Sequence, residues 1–152
     1  MFDTMCIPVA READIAEARR VALLMAADLG LKRTAAYYVA TAVSELATNM
    51  LYYAGKGEMQ LSVILRQGQG QAGIEVIAQD QGPGIADVEL ALRDGFSTSG
   101  GLGCGLPGAR RLMDELEIHS EVGQGTRIVA RKWVVALPEV RDAAPSYQVA
   151  AN

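Results

Sequence analysis

The sequence is poor in the residues that most often carry metal or redox chemistry. Cys6 and Cys104 are the only cysteines among 152 residues, too few and too far apart for a disulfide framework or a zinc site. His119 is the only histidine. It stands in the alternating stretch Glu117-Ile118-His119-Ser120, and no Ser or Cys nucleophile motif accompanies it. A solvated strand histidine is therefore expected, not a catalytic base. Positive charge is also in deficit: 14 Lys and Arg face 18 Asp and Glu, a net charge of −4. Without a basic block to neutralise phosphates, nucleic acid is not an expected partner. No apolar run approaches the roughly 20 residues of a membrane helix, and Met1-Phe2-Asp3-Thr4 lacks the basic and apolar blocks of a signal peptide. These absences predict a cytoplasmic chain with no membrane partner.

What remains is an ordinary globular balance, 50% hydrophobic and 21% charged, in a length that suits one domain. Met5 to Val9 reads as a first or edge strand. Asp14-Ile15-Ala16-Glu17 resembles a capping box, and Ile15, Ala18, Ala22, Met25 and Leu29 recur at helical spacing up to the stop at Gly30. Thr34 is expected to cap a second helix reaching about Tyr53. Strands are predicted at Glu58 to Arg66 and Gly73 to Gln79, joined by the Gln/Gly loop 67–71. From Asp80 to Gly105 glycine, proline and hydroxyl residues dominate and no period survives. Gly105-Leu106-Pro107 then opens a third helix. Two more strands follow, Leu116 to Val122 and Thr126 to Val135, split by Gly123-Gln124-Gly125. This order lacks strict strand–helix alternation and predicts a two-layer α/β (α+β) sandwich, its sheet mixed but largely antiparallel. Residues 134–152, with Pro138, Pro145 and little periodicity, are expected to extend from a 1–133 domain, exposed or weakly docked.

Three segments carry chemistry. On the second helix, Val39, Val43, Leu46 and Met50 form an apolar stripe, and Glu45 and Asn49, four apart, share a face at its margin. A carboxylate and an amide oxygen so placed can reach into a cleft beside the sheet. Next, Asp80-Gln81-Gly82-Pro83-Gly84 puts Asp-x-Gly-x-Gly directly after a strand, where the aspartate can accept a hydrogen bond from an amino group and the glycines permit a tight turn. Last, Gly100-Gly101-Leu102-Gly103-Cys104-Gly105-Leu106 leads into a helix, so that freed backbone N–H groups and a helix N-terminus make an anion site. Neither a Walker pattern nor a dinucleotide fingerprint is present.

Each segment alone has a bland structural reading, but their order and spacing resemble the N, G1 and G2 boxes of the GHKL ATPases, and Gly123-Gln124-Gly125-Thr126 resembles the later Gly-Thr element. The resemblance narrows further. Ser44-Glu45-Leu46-Ala47, Tyr53-Ala54-Gly55-Lys56-Gly57, Asp80 to Ile85, Asp94 to Gly103 and Arg111-Leu112-Met113-Asp114-Glu115 look like the RsbT-type switch serine/threonine kinases of the bacterial stressosome, related to anti-sigma factor kinases, over roughly Met5 to Trp133.

That resemblance implies a Bergerat fold with helices on one face of the sheet, and a kinase using ATP and Mg²⁺. Glu45 would orient or deprotonate the acceptor hydroxyl, and Asn49 would hold the metal. Asp80 would bind the adenine amino group, with Gly82, Gly84 and Ile85 around it, Gly84 leaving the ring room, and Thr126 nearby. Thr98, Ser99, Gly100, Gly101, Leu102, Gly103, Cys104, Gly105 and Leu106 would surround the phosphates, with Ala86 to Ser99 as a lid. The implied partners are STAS-domain scaffold and antagonist proteins as phosphoacceptors, then the regulatory domain of a phosphatase. Two other classes stay open: a stand-alone ATPase in which Glu45 activates water, and a nucleotide-dependent anti-sigma or binding module without catalysis.

Overall fold

The computed structural model describes residues 4–66, 68, 70–93, 105–134 and 150–151. The edge strand β1 (Met5–Val9) buries Ile7 and Val9 and leaves Pro8 exposed, a position where the missing N–H does least harm. Two helices follow, α1 (Glu12–Leu29) and α2 (Arg33–Ala54), and both end on a glycine cap, Gly30 and Gly55. The buried residues of α1 include Ala18, Val21, Ala22, Met25 and Leu29, steps of three and four that draw one stripe along the helix. α2 buries Val39, Val43, Leu46 and Met50, as its periodicity predicts, together with Ala40, Ala42 and Ala47.

The sheet is built from hairpins. β2 (Gly57–Arg66) pairs with β3 (Gln71–Asp80), and β4 (Glu115–Glu121) with β5 (Gly125–Trp133). The order is β1-β2-β3-β5-β4, each neighbour antiparallel, while β6 (Ala150–Ala151) lies parallel to β2 at Ile64 and Leu65. Met59 pairs with Ala78, Leu61 with Val76 and Val63 with Ile74, and all six belong to the core beneath α1 and α2. With a side-chain period of two, the opposite face carries Gln60, Glu75, Gln79, Arg127 and Arg131. There Arg131 Nε donates to Glu75 at 2.8 Å. The architecture is the expected two-layer sandwich with a mixed, largely antiparallel sheet and its helices on one face. Among the described residues no helix is long and apolar enough to cross a membrane.

Three local expectations need correction. Asp14 serves the first turn of α1, but from within it: its Oδ2 accepts from the N–H groups of Ala10 (2.9 Å) and Arg11 (3.2 Å), so it fills the acidic position of the box and does not open it. Glu17 takes no part and pairs with Arg20 at 2.6 Å, and that hydrogen bond lowers its pKa. Lys32, extended at φ −60 and ψ 150, is the N-cap of α2, and Thr34 lies inside the first turn. The glycine-rich stretch also holds a one-turn helix, α3 (Val88–Ala91), capped by Asp87, whose Oδ1 accepts from Leu90 N at 3.0 Å. α4 (Gly105–Leu112) is the helix expected after the glycine-rich stretch.

The two faces of α2 make a direct test. Leu46 is 1% exposed, so Leu46→Ala should cost about 2–5 kcal/mol in urea unfolding. Thr48→Ala, two residues on and exposed, should stay within about 0.5 kcal/mol. Equal effects would mean that the stripe has been assigned to the wrong side.

Candidate functional site

Glu45 and Asn49 lie at the margin of the α2 stripe, both half-buried. Neither side chain makes a hydrogen bond or ion pair with any described residue. Partly buried polar groups usually find partners within the fold. A carboxylate and an amide left open on one face are therefore available to something bound there.

The C-terminal end of α2 meets the loop that leaves β3. A Cβ placed on Gly82 would lie 2.6 Å from Ala54 Cβ, and Asn49 sits about 7 Å back along the helix axis from Ala54. Asp80, the last residue of β3, is half-buried. Its Oδ1 accepts from Gly82 N at 2.9 Å, closing a local turn, and its Oδ2 has no partner among the described residues.

Sheet register brings the second hairpin to this point. Asp80 pairs with Thr126 across β3 and β5, and Thr126 pairs with Ser120 across β5 and β4. Ser120 Oγ accepts from Ile85 N (2.7 Å), donates to Gly125 O (3.0 Å) and shares a 2.8 Å bond with Thr126 Oγ1. Gly123 N donates to Pro83 O at 2.8 Å. The loop from Asp80 to Ile85 is thus stitched to the β4–β5 turn at both ends.

Two glycines permit the stitching. Gly84 has φ +78, and a Cβ there would fall 2.1 Å from Glu121 O. Gly125 has φ +86, and its Cβ would fall 2.1 Å from Asp80 O. Both combine a left-handed backbone with backbone contact on the side where a side chain would project. The contact with the Glu121 carbonyl by itself requires glycine at position 84.

A depression of about 530 Å³ opens at this end of the sheet, with Asp80, Ser120 and Thr126 on the helix side and Gln79, His119 and Arg127 on the other. His119 is exposed, 3.8 Å from Glu117, a strand histidine as its sequence context predicts. α4 packs against α2 and buries Leu106. Thr98, Ser99, Gly100, Gly101, Leu102, Gly103 and Cys104 lie outside the described residues, as does the end of the expected lid.

The donor set fits a nucleotide with its metal. Asp80 Oδ2 is an acceptor without an internal donor. The Asn49 amide oxygen is a hard ligand of the kind Mg²⁺ takes, with substrate phosphates supplying further oxygens. Among the described residues no group of three or more His, Cys, Asp and Glu is placed to hold a metal, so the protein's own share of the ligands is small. The structure joins Asp80, Gly82, Gly84, Ile85 and Thr126 in one network and sets Glu45 and Asn49 on the adjoining helix. Ser120 is the member that the motifs do not reveal. Its signal is the register of a short hairpin: around the turn 122–124, position 120 must face position 126.

Comparisons with known proteins identify the family and the fold. The model of the histidine kinase-like ATPase domain family matches residues 9–132. The chain is 46% identical over 134 residues to the serine/threonine-protein kinase RsbT of Bacillus subtilis (strain 168), covering 88% of this chain and 99% of that protein. It is 30% identical over 103 residues to an anti-sigma F factor of Geobacillus sp. (strain WCH70), covering 63% of this chain and 68% of that one. Among solved structures, a chain in the crystal structure of the SiaB-SiaC complex from Pseudomonas aeruginosa has a TM-score of 0.51 at 12% identity, with 86% and 89% covered. That likeness is one of fold.

The stitched loop predicts unequal costs for glycine replacement. Gly84→Ala and Gly125→Ala combine a positive φ with a backbone clash and should each cost about 1–3 kcal/mol or more in urea unfolding. Gly123 shares the backbone angle (φ +81) but a Cβ there meets nothing within 4 Å, so Gly123→Ala should cost clearly less than either. Equal losses at all three positions would mean that the loop–hairpin contact adds nothing beyond backbone strain.

Proposed function

The chain belongs to the histidine kinase-like ATPase domain family, and we propose that it is a serine/threonine protein kinase that uses Mg-ATP to phosphorylate STAS-domain partner proteins. One observation carries this reading. Glu45 and Asn49 stand open and half-buried on one helix face, in a chain closely similar along its length to a curated serine/threonine kinase.

Phosphoryl transfer asks a protein for positioning and charge neutralisation more than for covalent chemistry. Glu45 orients the acceptor hydroxyl and takes its proton. Asn49 holds Mg²⁺, which when bound offsets the charge of the phosphate oxygens. Asp80 Oδ2 accepts from the adenine amino group, within the loop formed by Gly82, Gly84 and Ile85 and beside Thr126. The phosphates would fall to the glycine-rich segment 98–106, as its sequence suggests.

The acceptors in this reading are STAS-domain scaffold and antagonist proteins, and the setting is the cytoplasm. Phosphorylation adds roughly two negative charges beside a chain whose own net charge is −4. Repulsion and the lost hydroxyl contact favour release, and the freed surface then engages the regulatory domain of a phosphatase. A second reading, a nucleotide-dependent binding module, draws on the likeness to anti-sigma F factors. It leaves the placement of Glu45 without a use.

The test is incubation with labelled ATP, Mg²⁺ and candidate STAS proteins, followed by mapping of the modified residue. Failure of the unmodified chain to label any STAS protein would sink the kinase–partner reading. Within the same assay, Glu45→Ala should lower transfer by about 10²–10⁴ while ATP affinity changes only a few-fold. Full transfer by that variant would remove Glu45 from the role of base. Asn49→Ala should weaken both transfer and Mg²⁺-dependent nucleotide binding, and unchanged Mg²⁺-dependent affinity would take the metal role from Asn49.

A further inference from the structure

The edge of β2 is shared between two strands from opposite ends of the chain. β1 pairs with Gly57 to Leu61, and Thr4 Oγ1 lies 3.0 Å from Ser62 Oγ just beyond that ladder. β6 takes up the edge again at Ile64 and Leu65, running parallel to β2. This end of β2 is built like an interior strand. Val63 is buried in the core under the helices, and Ile64, on the opposite face, is only 1% exposed. Beside Ile64 stands Gly73, where a Cβ would fall 2.8 Å from Trp133 Cε3, so the indole lies across the glycine. Arg66 in turn stacks on the Trp133 ring, its Cζ 4.1 Å from the centroid. An apolar run buried on both faces belongs to a strand with a neighbour on each side. The outer edges of the sheet are protected by other means. β1 carries Pro8, whose missing N–H breaks any outer ladder, and β4 exposes Glu117 and Glu121, charges that oppose strand addition. Val63-Ile64-Leu65 has neither proline nor charge.

We propose that β6 is an edge guard, the chain's own C-terminal strand seated where a second copy of the chain would otherwise add a strand to β2. The pairing of β6 shows that this edge accepts a strand. The guard is slight: it consists of Ala150 and Ala151, so its hold rests on a short ladder and on its tether to the same chain. It also lies outside residues 9–132, the part matched by the family model, whereas the edge it covers lies inside them. When β6 leaves, the end of an apolar strand presents unpaired N–H and C=O groups. The same strand end of a second copy matches it in chemistry, because two such edges can pair antiparallel about a twofold axis.

Amide hydrogen exchange and sedimentation test this without nucleotide, so the outcome is independent of the kinase reading. A chain ending at Val149 lacks β6. Its amides between Val63 and Arg66 should exchange about ten-fold faster than those of the full chain, and it should self-associate at concentrations about ten-fold lower. The double variant Ala150→Pro, Ala151→Pro keeps the length but removes both N–H donors of β6, and it should behave in the same way. Leu65 is 37% exposed, so lysine is tolerated there. Leu65→Lys in the shortened chain puts a charge on the bared edge and should return its association to that of the full chain. Unchanged exchange in both β6 variants means that β6 guards nothing, and the proposal is overturned. Faster exchange without added association overturns it too, since the edge would then be open yet take no second copy. Association that Leu65→Lys leaves intact has the same force, because it places the contact elsewhere on the molecule.

Discussion

The register between β3, β5 and β4 decides where the groups at this end of the sheet stand. Because Ala78 pairs with Ile128, Asp80 must fall opposite Thr126, and because Ile118 pairs with Ile128, Ser120 must fall opposite Thr126 as well. A slip of one residue would turn the side chains of the slipped strand to the open face and break the alignment of the three. What prevents the slip is the core: Ala78 and Ile128 are buried beneath the helices, so misregistration would expose them and bury polar partners. The polar network is thus positioned by apolar residues that take no part in it.

Helix α2 depends on the same core in a different way. Its stripe is pinned against α1 and the sheet, which fixes the helix in rotation as well as position. Glu45 and Asn49, at the stripe's edge, inherit that rotation. They are held in place without hydrogen bonds of their own among the described residues, so their polar atoms stay free for a ligand while their backbones are fixed. A hydrogen-bonded carboxylate would be better ordered but less available. The close approach of Ala54 to Gly82 brings this helix against the Asp80 loop.

Much of this was legible in the sequence, and the exceptions follow a physical pattern. The edge strand Met5–Val9, the α2 stripe and both hairpins emerge from periodicity because their burial is one-sided and sustained. Elements of one turn do not: α3 rests on the Asp87 cap, and four residues are too few to draw a period. Asp14 was recognised as a capping acid but placed at the wrong end of its box, since an Asp suits either position and only the backbone angles distinguish them. At Gly84 the motif does not reveal the contact with the Glu121 carbonyl, because that contact is set by the packing of a hairpin distant in sequence. Ser120 left no trace as a motif because its role is relational. It matters by standing opposite Thr126 and within reach of Ile85 N–H, and a list of residue types does not carry that relation.

The candidate site is divided between a sheet end and a helix, and the fold constrains the two parts differently. The sheet-end network is closed on itself: Asp80, Ile85, Ser120, Gly125 and Thr126 bond mainly to one another, and two of its glycines meet backbone where a side chain would go. Substitution there disturbs several contacts together, and energies in such a network are not additive. The outward face of α2 is not tied into that hydrogen-bond network. Tyr52 is 59% exposed beside Tyr53, their rings 4.9 Å apart edge to face, and neither belongs to the core. Change on that face costs the fold little, while aromatic side chains there offer large contact area to a partner. The sheet-end network is therefore the part of this molecule most tightly tied to the register of the sheet, and the outward face of α2 the part least tied to it.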